Sequence, residues 1–115
     1  VRKLSSILSL VMILFSTDAF SASHVYNAKI TSLYCGYIGT TENCSIKFDK
    51  PILQKDACHT SAERMHFKVN TDLGKALLAL ALAAQASKKN VDVFSTGQCT
   101  IAPNIVDVNW IEIKG

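Results

Sequence analysis

Four cysteines, Cys35, Cys44, Cys58 and Cys99, in a chain of 115 residues constrain the possible folds more than any other feature. What they are for depends on the compartment, and the N-terminus speaks to that. The chain opens VRKLSSILSLVMILFSTDAFSAS, in which Arg2 and Lys3 precede an apolar run from Leu4 to Phe15 and then small and polar residues. This is the three-part layout of a secretory signal peptide. Ala19 and Ser21 put small residues where a signal peptidase reads them, which predicts a leader over 1–21 and a mature chain over 22–115. The apolar run falls short of the roughly 18 to 20 residues a membrane span needs. Val1 in place of Met suggests a GTG start codon, hence a bacterial protein exported to periplasm or medium.

In an exported domain of this size an even count of cysteines reads first as a disulfide framework, because so short a chain builds only one modest core and gains from cross-links. Four cysteines allow three connectivities. Cys35 and Cys44 flank GYIGTTEN, a glycine-bearing segment between strand-like stretches, so they are placed to face each other across a hairpin, leaving Cys58 with Cys99. Zinc binding would use Cys58, His59 and His66, but ligand pairs at short spacing are missing, as is the Cys-x-x-Cys of thiol redox sites. His24, His59 and His66 are then expected to be surface residues, with no metal and no cofactor.

Alternation of apolar and polar residues predicts strands over Val25–Tyr37, Cys44–Asp49, Arg64–Val69, Val91–Gly97 and Val106–Gly115. CSIKFD puts Cys44, Ile46 and Phe48 on one face and Ser45, Lys47 and Asp49 on the other, the pattern of a half-buried strand. Trp110, among alternating apolar residues of the last strand, is expected in the core. Between the third and fourth strands lies LGKALLALALAAQASKKN, which Asn70 or Thr71 can cap and Asn90 can close, giving a helix of about 17 residues. The order β-β-β-α-β-β, mainly β with one helix, is that of the OB-fold, a five-stranded barrel; an open α+β sheet would show the same order.

At 100 degrees per residue Leu73, Leu77, Leu80 and Ala84 form a stripe suited to packing on a sheet, while Leu78 and Leu82 fall on the far side. The uncharged run Ala76–Ser87 gives about 18 Å of helix, too short for a hydrocarbon core near 30 Å. Leu78 and Leu82 are therefore expected to be buried between subunits of a homo-oligomer. Outside the leader, ten Lys and Arg face eight Asp and Glu and form no basic run, which argues against nucleic acid as a partner.

The leader, the short β meander, a Cys before the third strand, TDLGKALLALALAA, TGQC and the closing VDVNWIEI resemble small exported bacterial proteins similar to B subunits of subtilase-cytotoxin and pertussis-like AB5 toxins. The resemblance is one of layout. It implies an OB-fold, a homopentameric ring, a toxin A subunit as partner, binding of host glycans and no catalysis by this subunit. No stretch matches the sialic-acid site of those toxins residue by residue, so no site is carried over.

In OB-folds the loops between strands one and two and between strands four and five commonly bind ligand. Here they hold Tyr37, Thr40, Thr41, Glu42 and Asn43, and Gln98, Thr100 and Asn104, an aromatic ring beside hydroxyl, amide and carboxylate groups such as a sugar requires. The same residue types suit any solvated turn. The alternative reading is a monomeric periplasmic interaction or inhibitor protein. An enzyme ranks third, since no nucleophile and base, phosphate loop or zinc pair is evident.

Overall fold

A computed structural model describes residues 22–61 and 63–115; the expected signal peptide, residues 1–21, lies outside the described residues. Six strands and one helix follow in the order β1 (His24–Ala28), β2 (Ile30–Ile38), β3 (Thr41–Phe48), β4 (Arg64–Lys68), α1 (Asp72–Ser87), β5 (Val91–Ser95) and β6 (Val108–Ile113). They form two antiparallel three-stranded sheets, β1-β5-β6 and β2-β3-β4. The class is mainly β with one helix, as expected, but the described residues form no closed five-stranded barrel. One reason is that the first predicted strand is really two. Asn27 has a left-handed backbone, φ 54, and between Val25 and Ala28 two residues of β1, Tyr26 and Asn27, stand opposite one of β5, Asp92. That bulge bends the chain at Lys29, so β1 joins one sheet and β2 the other.

The β2–β3 hairpin is tighter than the sequence suggests. Ile38 pairs with Thr41, so the connection is only Gly39 and Thr40, and Gly39 supplies a positive φ of 61 at the first turn position. Cys35 stands directly opposite Cys44 and is bonded to it, and Cys58 is bonded to Cys99. Both preferred disulfides are therefore present, as suits an oxidising compartment outside the cytoplasm.

β3 differs from the half-buried strand expected of it, because Asn43, Cys44, Ser45 and Ile46 are all buried. It is the central strand of its sheet, and Ser45 lies in register between Tyr34 of β2 and His66 of β4, which shield its outer side. The core between the sheets and the helix holds Val25, Ile46, Met65, Val91, Val93 and Val106.

In α1 the Thr71 hydroxyl accepts the Gly74 N–H at 2.9 Å, the expected N-cap. The closing residue is Lys88, with φ 57, and not Asn90; the Lys89 N–H reaches back to the Ala84 carbonyl at 3.0 Å. The buried stripe is Gly74, Leu77, Ala81 and Ala84. Leu73 and Leu80 are exposed, while Leu78 packs against this chain's own core, so the helix is rotated from the expected setting. The cause is Gly74: a Cβ built there would lie 1.8 Å from the Lys68 carbonyl oxygen, so the helix meets the end of β4 on its glycine side. Leu82 is 51% exposed, as expected of a single chain. No helix among the described residues is long and apolar enough to cross a membrane.

Candidate functional site

The outer face of the β2-β3-β4 sheet carries a recess of about 270 Å³ between Tyr34, Gly36 and Tyr37 on β2, Asn43 on β3, and Arg64 and His66 on β4. Strand alternation explains the grouping. Tyr34 and Gly36 lie two apart on β2, Asn43 and Ser45 stand opposite them on β3, and His66 stands opposite Ser45 on β4. A Cβ at Gly36 would meet nothing within 4 Å, so its missing side chain leaves the recess open.

A chain of hydrogen bonds forms the floor. Arg64 Nε–H donates to His66 Nε2 at 3.2 Å, so the other ring nitrogen, Nδ1, carries the proton and donates to Asn43 Oδ1 at 3.1 Å. The Asn43 amide in turn donates to the Gly36 carbonyl at 3.2 Å. His66 is thus a neutral imidazole in a fixed tautomer. Burial holds its pKa below the ordinary value, and the Arg64 charge acts in the same direction. Tyr34, half exposed, stands on the same face as this fixed polar floor, while Tyr37, 72% exposed, borders the recess from a position whose side chain strand alternation turns to the other face. Such a site can stack a flat apolar face and pair hydroxyl or anionic groups.

Of the residues expected from the sequence, Tyr37 and Asn43 line this recess. Glu42 is paired with Tyr37 at the exposed end of the hairpin, Thr41 with Ile38, and Thr40 sits in the turn. Gln98 lines another recess, with Asp56 and Ser95. Thr100 lines a third, beside Leu73 and Leu77, and its backbone N–H donates to Asp107 at 3.1 Å. Asn104 lies in an exposed turn whose carbonyl accepts the Thr60 N–H at 3.1 Å. The two loops therefore do not build the single surface expected of them. Tyr34, Gly36, Arg64 and His66 were missed, although period-two spacing on β2 and β4 carried the signal.

The three histidines expected at the surface are buried. His24 packs on Tyr26 and Phe94, and His59 Nδ1 accepts the Val106 N–H at 3.0 Å. Trp110 is corrected in the opposite sense, being 41% exposed and not in the core. Phe94 pairs with Trp110 and Ser95 with Val108, so Asn109 is an extra residue that turns Trp110 outward while Val108 and Ile111 face in. Trp110 there stacks on Phe94 at 4.4 Å, and Tyr26 meets the other edge of Phe94 at 5.4 Å.

A second polar cluster is structural in character. Asp56 Oδ2 accepts bonds from the Ser23 N–H (3.0 Å), the Ser23 hydroxyl (2.7 Å) and the Ser95 hydroxyl (2.9 Å). Burial alone would raise its pKa, but these donors outweigh it and hold the carboxyl below its usual range. Among the described residues no group of three His, Cys, Asp or Glu side chains could hold a metal ion. The chain matches no protein-family model and no curated protein.

Proposed function

We propose that this chain is an exported, non-catalytic binding module that recognises carbohydrate in the recess between Tyr34, Tyr37, Asn43, Arg64 and His66. The observation that carries the reading is the pairing of an exposed phenol ring, that of Tyr34, with a hydrogen-bond chain on the same sheet face whose tautomer and orientation are already fixed. A sugar offers an apolar C–H face to such a ring and hydroxyls to such a floor, and a rigid floor loses little entropy on binding. Arg64 adds a cation for an acidic substituent. The two-sheet unit with one helix is in this reading an OB-like layout of the toxin B-subunit kind. The resemblance extends it to a homopentamer and a toxin A subunit as partner.

The test uses Gly36→Leu, which fills the recess from a position with open space around it, together with Tyr34→Ala. Both variants are expected to keep the wild-type melting temperature and to lose binding on a glycan array. Undiminished binding by Gly36→Leu would move the site elsewhere.

One observation favours the alternative, a monomeric envelope interaction or inhibitor protein. The outer face of the β1-β5-β6 sheet presents Tyr26 and Trp110 around Phe94, an aromatic patch of the kind that anchors protein interfaces. Tight binding to one envelope protein, abolished by Trp110→Ala and untouched by Gly36→Leu, would favour that reading.

A further inference from the structure

Three segments far apart in sequence meet beyond the C-terminal end of α1 and enclose a recess of about 290 Å³, lined by Asn27, Lys29, Lys88, Lys89, Asn90, Lys114 and Gly115. The lysines form no run in the sequence, yet four of them gather here. A continuous set of bonds fixes the frame. Lys29 Nζ donates to Asn90 Oδ1 at 2.7 Å, and Asn90 Nδ2 donates to Asn27 Oδ1 at 3.0 Å. The Asn27 N–H donates to Asp92 Oδ1 at 2.8 Å, and Lys114 Nζ reaches Asp92 Oδ2 at 3.1 Å. Asp49 accepts the backbone N–H of Lys29 on the other side.

Lysines after a helix C-terminus are favoured by the helix dipole, and that accounts for Lys88 and Lys89. It does not account for Lys29 and Lys114, which come from the β1–β2 junction and the final segment. Nor does it explain why Asn27 and Lys88, two of the three non-glycine residues with positive φ among the described residues, both face this recess. Neither Lys88 nor Lys89 makes a side-chain hydrogen bond or ion pair among the described residues. Among the described residues Lys88 and Lys89 therefore have no carboxylate partner and Lys29 Nζ is bonded only to the neutral Asn90, while Asp92 behind the frame neutralises Lys114.

We propose that this recess binds a phosphate or sulfate ester group of a ligand met outside the cytoplasm. Lysine ammonium groups are point charges on flexible stems and suit a tetrahedral oxyanion approached from several sides, where a planar carboxylate would favour the fork of an arginine. A phosphate monoester carries about −1.5 to −2 at neutral pH and so matches the excess of positive charge better than a single carboxylate does. The group can belong to a soluble phosphorylated sugar or to a lipid headgroup, and the chemistry of the recess is the same for both.

The test follows backbone amide shifts in the oxidised protein during titration with inorganic phosphate, with glucose 6-phosphate and with vesicles containing phosphatidate. Saturable shifts at Asn27, Asn90 and Gly115 are expected, weakening as salt is raised. Lys88→Gln with Lys89→Gln should reduce affinity about tenfold or more. Lys75→Gln, about 20 Å away along the helix, should bind as wild type. Tighter binding of glucose 6-phosphate than of inorganic phosphate would assign the group to a sugar, and a gain confined to vesicles would assign it to a lipid. No saturable response, or equal loss in the Lys75→Gln variant, would overturn the proposal.

Discussion

His66 is held between Arg64 and Asn43, and its environment makes a measurable pH signature. Its folded pKa lies below the ordinary 6.5, because burial and the neighbouring guanidinium disfavour the imidazolium. The unfolded chain therefore takes up a proton first as pH falls. The contribution of His66 to stability is complete above about 6.5 and declines as pH drops from there toward the lowered folded value. Protonation also turns Nε2 into a donor facing the Arg64 donor, which removes the bond between them. In His66→Gln the amide can still donate to Asn43 and accept from Arg64, but it does not titrate. Urea unfolding across the acidic range is expected to show wild type losing stability relative to His66→Gln just below pH 6.5. Parallel curves for the two proteins would show that the folded pKa is not lowered. In the sequence His66 occupies the polar place of an alternating strand and reads as a surface residue. Its burial comes from cross-strand neighbours that only the register supplies, whereas Tyr37 could be singled out as an aromatic ring beside the hydroxyl, amide and carboxylate groups of a glycine-bearing turn.

The same limit operates on whole elements, and α1 shows where it lies. Its start was legible, since Thr71 followed by an acidic first turn is a local signal. Its orientation was not, because a helix built almost wholly of Leu and Ala is apolar on every side and its periodicity says little. The residue that fixes the orientation, Gly74, has no side chain to enter such a pattern. Its contact with the Lys68 carbonyl makes a firm expectation. By helix propensity alone Gly74→Ala should stabilise by about 1 kcal/mol. The added methyl instead lands on backbone that cannot rotate away, so a net loss of about 1 to 3 kcal/mol is expected in chemical denaturation. A stabilised variant would mean that the helix moves off β4 without cost. Bulges misled the reading in a related way. One extra residue at Asn109 exchanges the faces of everything after it, and nothing in VDVNWIEI announces it.

At the scale of the whole molecule the question is what covers α1. One side lies on the core; the other leaves Leu73 at 61% and Leu82 at 51% exposed, with Leu80 also outward and alanines between them. Leu78, which the sequence placed on that outer side, is already packed within the chain, so the apolar surface available to a neighbour is Leu73, Leu80 and Leu82. Single exposed leucines are ordinary on folded proteins. Three along one helix, separated by side chains small enough to let a second backbone approach, favour self-association. Burying each would contribute about 1.5 to 3 kcal/mol, enough in a symmetric contact to offset part of the entropy lost on assembly. The disulfides help to separate the two effects. They hold the β2–β3 hairpin and tie the segment before β4 to the loop after β5, so a change on the outer side of the helix should leave the chain folded. Light scattering on the oxidised protein is expected to show an oligomer, and Leu82→Glu and Leu73→Glu to yield smaller species with unchanged circular dichroism. A wild type that stays monomeric at high micromolar concentration would remove the interface and leave the monomeric reading with its aromatic patch. An oligomer that survives both substitutions would place the contact elsewhere, most simply at the edge of β6, where backbone groups can extend a sheet from one copy to the next.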